Sequence, residues 1–150
     1  MIRFFQQDTS FDLSGKLIVK RWIKSVITSY SRKVGEINVI FCSDPYILEM
    51  NNRYLGHNYY TDIITFDTAE DFEDEVVPSD KGKISGDLFI SVDTVMANSR
   101  EYEQEFDTEL HRVIIHGVLH LLGEDDHTPE EIASMRAAEN KALNELKSTV

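Results

Sequence analysis

A chain of 150 residues, 41% apolar and 28% charged, is long enough for one domain built on a single core. Its apolar runs, such as Val113-Ile114-Ile115, fall far short of the ~20 residues that span a bilayer, and its one cysteine, Cys42, excludes an intrachain disulfide. A net charge of -12 argues against a general nucleic-acid coat protein, because such binding rests on phosphate neutralisation.

The charge is uneven, however. Residues 1–41 carry a local balance of +4 and the remaining 109 residues a balance of -16, so a basic surface can exist on an acidic protein. The first ten residues, MIRFFQQDTS, lack the apolar core of a signal peptide, and a reducing cytoplasm is the expected location, with no membrane partner. Cys42 follows Val39-Ile40-Phe41 and is expected to be a buried, inert thiol.

In chain order, residues 2–6 read as a short strand and residues 15–33 as a helix. In that helix Leu17, Trp22, Ile23, Val26, Ile27 and Tyr30 form an apolar stripe. Lys16, Lys20 and Lys24 recur every four residues and share another face with Arg21 nearby. That face is either a solvated helix surface or a contact for RNA or an acidic partner. Residues 36–42 are rich in β-branched types and read as a strand. Ser43 or Asp44 then caps a helix with Pro45 in its first turn, running to about Leu55 with Ile47, Leu48, Met50 and Tyr54 inward and Gly56 at its end.

Residues 61–66 are a second strand candidate, and the acidic stretch 67–82, with Pro78 and Gly82, reads as an exposed loop or hairpin arm. Residues 83–92 form another strand, with Gly86 an irregularity in it. Asp93 is placed to cap a helix to about Tyr102, and a further helix covers roughly 107–122 before Gly123. Thr128-Pro129-Glu130-Glu131 opens the last helix with a capping box. No internal repeat or domain linker interrupts the chain.

Three of the five histidines lie within twelve residues, from His116 through His120 to His127. Spacing of i, i+4 puts His116 and His120 on one helix face about 40° apart, where two imidazoles can share a metal ion. Gly123 lets the chain turn back so that His127 can supply a third ligand. Three protein ligands with one open position is the catalytic arrangement for zinc, and the lone thiol rules out a cysteine-rich structural site. His111 lies about 140° round the helix from His116 and is not expected to bind, and His57 is expected to be solvent-exposed. Zinc held this way activates a water for hydrolysis near neutral pH. The H-E-x-x-H peptidase pattern places a glutamate after its first histidine, whereas Gly117 stands there here. Glu124, Asp125 and Asp126 fall between the second and third histidines; Asp125 and Asp126 are the candidate catalytic carboxylates, as base or as orienter of an imidazole.

The segment His116-Gly117-Val118-Leu119-His120-Leu121-Leu122-Gly123 resembles the H-G-x-L-H-L-x-G-x-D-H motif of the YbeY family of metal-dependent endoribonucleases. Met50-Asn51 through Tyr54, Thr61-Asp62-Ile63-Ile64-Thr65-Phe66 and Gly86-Asp87-Leu88-Phe89-Ile90-Ser91 are similar to three further stretches of that family, in order. Six residues, Leu121 to Asp126, separate the second and third histidines here, one more than in the motif. Counted from Gly123, the family's third histidine falls on Asp126, so either His127 binds across a longer turn or Asp126 binds through oxygen. The arginine that often follows the family's tyrosine is Leu55 here.

The resemblance implies an α+β domain, a small mixed β-sheet flanked by helices with the metal site at the end of a helix. It also implies action on ribosomal RNA or a pre-ribosomal particle. The resulting expectation is a zinc-dependent, single-strand endoribonuclease of ribosomal RNA maturation and ribosome quality control. Its metal ligands would be His116, His120 and His127. Thr61, Asp62, Ser85, Gly86 and Asp87 would shape the cleft, and RNA would approach over Lys20 and Lys24. A hydrolase of another ester or amide, and an assembly factor that binds without cutting, are the alternatives.

Overall fold

A computed structural model describes residues 1–56, 61–69 and 82–149. The expectation for His57 and most of the acidic stretch 67–82 lies outside them. The described elements are β1 (Ile2–Gln7), α1 (Lys16–Ser29), β2 (Lys33–Cys42), α2 (Asp44–Leu55), β3 (Ile63–Asp67), β4 (Lys83–Ser91), α3 (Val92–Glu101), α4 (Phe106–Leu121) and α5 (Pro129–Thr149). They form the expected α+β arrangement around a mixed sheet of order β1-β2-β4-β3. β1, β2 and β4 run parallel, and β3 pairs antiparallel with β4.

Alternation along the strands divides the core in two. Ile37, Val39 and Phe41 of β2 and Ile84, Leu88 and Ile90 of β4 belong to the main core, with α1, α4 and α5. Cys42 and Ile64 belong to the opposite face, where Ile47 of α2 meets them and Tyr46, Met50, Phe66 and Phe89 pack around. The Cys42 thiol is fully buried, and burial with the charges of Asp44, Asp93 and Asp8 pushes its pKa up to about 12, an inert group as expected.

Four local expectations are corrected. α1 stops at Ser29, because Ser31 turns into the left-handed region (φ 58), and Lys33 already belongs to β2. Leu17 is 61% exposed, since nine residues of helix set it about 180° from buried Val26; Val19 fills the stripe instead. Tyr54 is 57% exposed, and the buried side chains of α2 are Ile47 and Asn51. Ser91, not Asp93, caps α3: its Oγ accepts the Thr94 N–H, while the Asp93 carboxylate accepts the Asp44 N–H at the start of α2.

The position of α4 matters most for the site. A Cβ on Gly117 would lie 2.7 Å from Ile63 Cδ1 and 3.0 Å from Leu88 Cδ2. A Cβ on Gly86 would lie 2.6 Å from Leu121 Cδ2 and 2.7 Å from the Phe66 carbonyl oxygen. Two glycines, one on the helix and one on the strand, therefore let α4 lie directly on β3 and β4. The glycine that stands where a peptidase has its glutamate is a packing residue.

Candidate metal centre

His116 and His120 project from one face of α4, as their spacing requires, into a cleft of about 610 Å³. The far wall is β3 and the residues before it, Thr61 to Thr65, and the rim includes Asn51 and Leu55 from the end of α2. Asp62 is anchored there because its carbonyl accepts the Ser91 N–H at the end of β4. Burial raises the pKa of the Asp62 carboxyl, only partly offset by the nearby His116 and by the N–H groups of Asp62 and Ile63.

The loop after α4 completes the site, and sequence chemistry fixes both its ends. Gly123, at φ 99, donates its N–H to the His120 carbonyl and Glu124 donates to Leu119, a Schellman closure. Tyr30, which caps the end of α1, donates its hydroxyl to Glu124 Oε1 at 3.3 Å. At the other end Thr128 and Glu131 exchange reciprocal hydrogen bonds of 3.1 Å each, the capping box expected from the sequence. Between these anchors the loop turns the Asp126 carboxylate toward the histidines.

His116 Nε2 and His120 Nε2 are 3.0 Å apart, and Asp126 Oδ2 is 3.5 Å from each. An ion held tetrahedrally at ~2.0–2.1 Å from each donor needs donor–donor separations of roughly 3.3–3.4 Å. The triangle therefore fits a zinc-sized cation, and it is the one group of metal-ligating atoms gathered this closely among the described residues.

His116 is oriented from behind. Its Nδ1 lies 2.7 Å from Glu139 Oε2 on α5. Burial alone would raise the Glu139 carboxyl, but hydrogen bonds and charge from His116 and Arg112 override it and hold it below the usual carboxylate range. An ionised carboxylate only accepts, so in the neutral imidazole His116 Nδ1 carries the proton and Nε2 presents its lone pair to the cleft. Burial opposes the His116 cation, yet the Glu139 bond and the charges of Glu139, Asp126 and Asp62 hold its pKa above the ordinary value.

The other sequence candidates divide clearly. Thr61, Asp62, His116, His120, Asp126 and His127 all line the cleft, although His127 stands outside the close donor triangle. Asp125 is exposed and is not among the lining residues. Ser85 lies elsewhere, its Oγ accepting the Glu36 N–H, and Asp87 accepts a hydrogen bond from Asn38. Gly86 serves the α4 contact already described. Lys20 stands over the Phe4 ring beside β1, at the opposite edge of the sheet from β3, and Lys24 is exposed on α1. His111 is no cleft residue: it packs edge-on against Trp22.

The family model for Endoribonuclease YbeY matches residues 2–147. The chain belongs to the Endoribonuclease YbeY family. Membership places it among RNA-cleaving hydrolases. A relative from Phocaeicola vulgatus, named Endoribonuclease YbeY, is 57% identical over 122 residues, 81% of each chain. One of the same name from Porphyromonas gingivalis is 45% identical over 149 residues, 99% of this chain and 92% of its own. The solution structure of a Thermotoga maritima protein superposes with a TM-score of 0.62 at 25% identity, covering 99% of this chain and 93% of that one.

Glu139, which holds His116 from behind, is the residue beside the centre that sequence reasoning missed. The signal was present: a glutamate in register with Met135, Ala142, Leu143 and Leu146, all buried on one face of α5. An acid in such a stripe needs a partner.

Proposed function

We propose that the chain is a zinc-dependent endoribonuclease cutting single-stranded RNA, acting in the cytoplasm on ribosomal RNA or a pre-ribosomal particle during its maturation and quality control. The observation that carries the hydrolytic reading is the convergence of His116 Nε2, His120 Nε2 and Asp126 Oδ2 in an open cleft. Family membership supplies RNA as the substrate class. No helix among the described residues is long and apolar enough to cross a membrane, which agrees with a particle-bound or free enzyme.

In this reading His116, His120 and Asp126 hold the ion. Two imidazoles and a carboxylate suit catalytic zinc, and the same set also suits ferrous iron in oxygenases. Hydrolysis favours the redox-inert metal. Bound there, zinc would supply Lewis-acid polarisation of a phosphoryl oxygen and a nucleophilic water near neutral pH. Asp62, its carboxyl held toward the protonated form by burial, is placed to hold or release a proton in the same cleft. Thr61 offers a hydroxyl to the RNA backbone beside it. Lys20, Arg21 and Lys24 lie outside the cleft and would engage RNA away from the cut.

A second reading has one observation in its favour. Leu55 lines the cleft at the position where the family often carries arginine, which suits a factor that binds ribosomal particles without cutting. One assay separates the two. Untagged protein with zinc is expected to cleave single-stranded RNA in preference to duplex, with activity lost in a folded His116→Ala variant. Cleavage unchanged by zinc, or surviving His116→Ala, would remove the zinc-nuclease reading.

A further inference from the structure

We infer that Glu139, itself locked by Arg112, is the positioning residue of this centre, and that α5 thereby fixes which nitrogen of His116 faces the ion. The inference rests on the metal-site reading above and deepens it.

Glu139 is buried to 5% exposure, and both of its oxygens are committed. Oε2 takes the His116 Nδ1 proton at 2.7 Å, and Oε1 takes Arg112 Nη1 at 2.9 Å, with Arg136 Nη1 at 3.7 Å. Arg112 is held in turn, because its Nη2 donates to Asn140 Oδ1 at 2.8 Å. Arg112 and His116 are one helical turn apart on α4, and Glu139 and Asn140 are neighbours on α5. The two helices are therefore laced by a chain that runs from Asn140 through Arg112 and Glu139 to the imidazole.

Such a chain does two things to His116. It prevents ring rotation, which would swing Nε2 away from His120 and Asp126. It also keeps the proton of the neutral ring on Nδ1, so that the Nε2 lone pair faces His120 and Asp126 without any tautomer change on metal entry. Among the described residues none makes a comparable bond to the other ring nitrogen of His120, so the restraint acts through His116. A clamp that only joined α4 to α5 would need neither the short bond to Nδ1 nor a carboxylate shared between a histidine and an arginine.

The test uses full-length protein and reads metal affinity, not activity. Zinc affinity is measured by competition with a chelator in wild type, Glu139→Gln and Glu139→Ala, with His116→Ala as the reference for ligand loss. Glu139→Ala is expected to weaken zinc binding about 10–100-fold, as loss of such outer partners does. Glu139→Gln, whose amide oxygen can still accept from Nδ1, is expected to recover most of that loss. Nitrogen NMR of metal-free wild type at about pH 8 is expected to show the His116 proton on Nδ1. Zinc bound equally by wild type and Glu139→Ala, or a His116 proton resting on Nε2, would overturn the inference while leaving the metal centre intact. Zinc failing to bind wild type would overturn both. If Glu139→Ala does not fold, the glutamine variant and the wild-type NMR spectrum still decide.

Discussion

Asp126 and His127 are adjacent, line one cleft and offer different donors, so they give the sharpest test of how the site is built. The donor triangle closes on Asp126 Oδ2, 3.5 Å from both imidazoles. Asp126→Ala is therefore expected to weaken zinc binding by roughly 100-fold or more, beyond the loss of an outer partner. His127→Ala should leave it within about threefold. Chelator competition on the two variants checks this, and the reverse ranking would make His127 the ligand. The histidine pair was legible in the sequence because i, i+4 spacing on one helix is a local fact. The choice between Asp126 and His127 was not, because it depends on how a Schellman turn and a capping box set the loop between them. Glu139 was hidden for a similar reason: its partner lies 23 residues away on another helix.

The histidine-bearing helix can work only where it lies, and two glycines hold that place open. Their side-chain neighbours differ in how much they can yield. Around Gly117 the crowding atoms are the ends of Ile63 and Leu88 side chains, which can move. Around Gly86 one of them is the Phe66 carbonyl oxygen, part of the β3–β4 ladder. Gly86→Ala is thus expected to destabilise by about 1–3 kcal/mol through overpacking. Gly117→Ala should cost less, because a helical alanine recovers up to ~1 kcal/mol in propensity. Urea unfolding followed by fluorescence of Trp22, the single, buried tryptophan, measures both. Equal stability of Gly86→Ala and wild type would mean that α4 is not seated as described. Strand and helix identities were readable from β-branched runs and caps, whereas the α+β class came from the family resemblance. The faces at their margins were not: Leu17 and Tyr54 are apolar residues at helical spacing that the tertiary arrangement leaves outside.

Across the protein, acidity and the histidines give stability a pH dependence with opposing contributions. His111 is packed against Trp22, and burial lowers its pKa, with Asp107 a smaller opposing influence. Above its unfolded value of ~6.5 it is neutral in both states; as pH falls through that value the unfolded chain takes the proton first, so folding weakens. His116 has the opposite sign in metal-free protein. Its raised pKa contributes stability below the unfolded value, and that is lost as pH rises through the folded one. Metal-free His111→Phe, which keeps an aromatic ring on Trp22, is therefore expected to lose less stability than wild type between about pH 7 and 5. Identical pH profiles in urea unfolding would show that the His111 contribution is absent. Zinc adds a further dependence, since its binding requires unprotonated imidazoles and fails in acid. Lys20 of α1 stands over Phe4 of β1, at the far edge of the sheet from β3 and the cleft. Anomalous diffraction at the zinc edge from crystals of the zinc-loaded protein addresses the metal centre directly. One strong peak is expected, ~2.0–2.1 Å from His116 Nε2, His120 Nε2 and Asp126 Oδ2, with a fourth position open to the cleft. No peak there, or an ion held by four protein ligands, would contradict a catalytic metal centre in this fold.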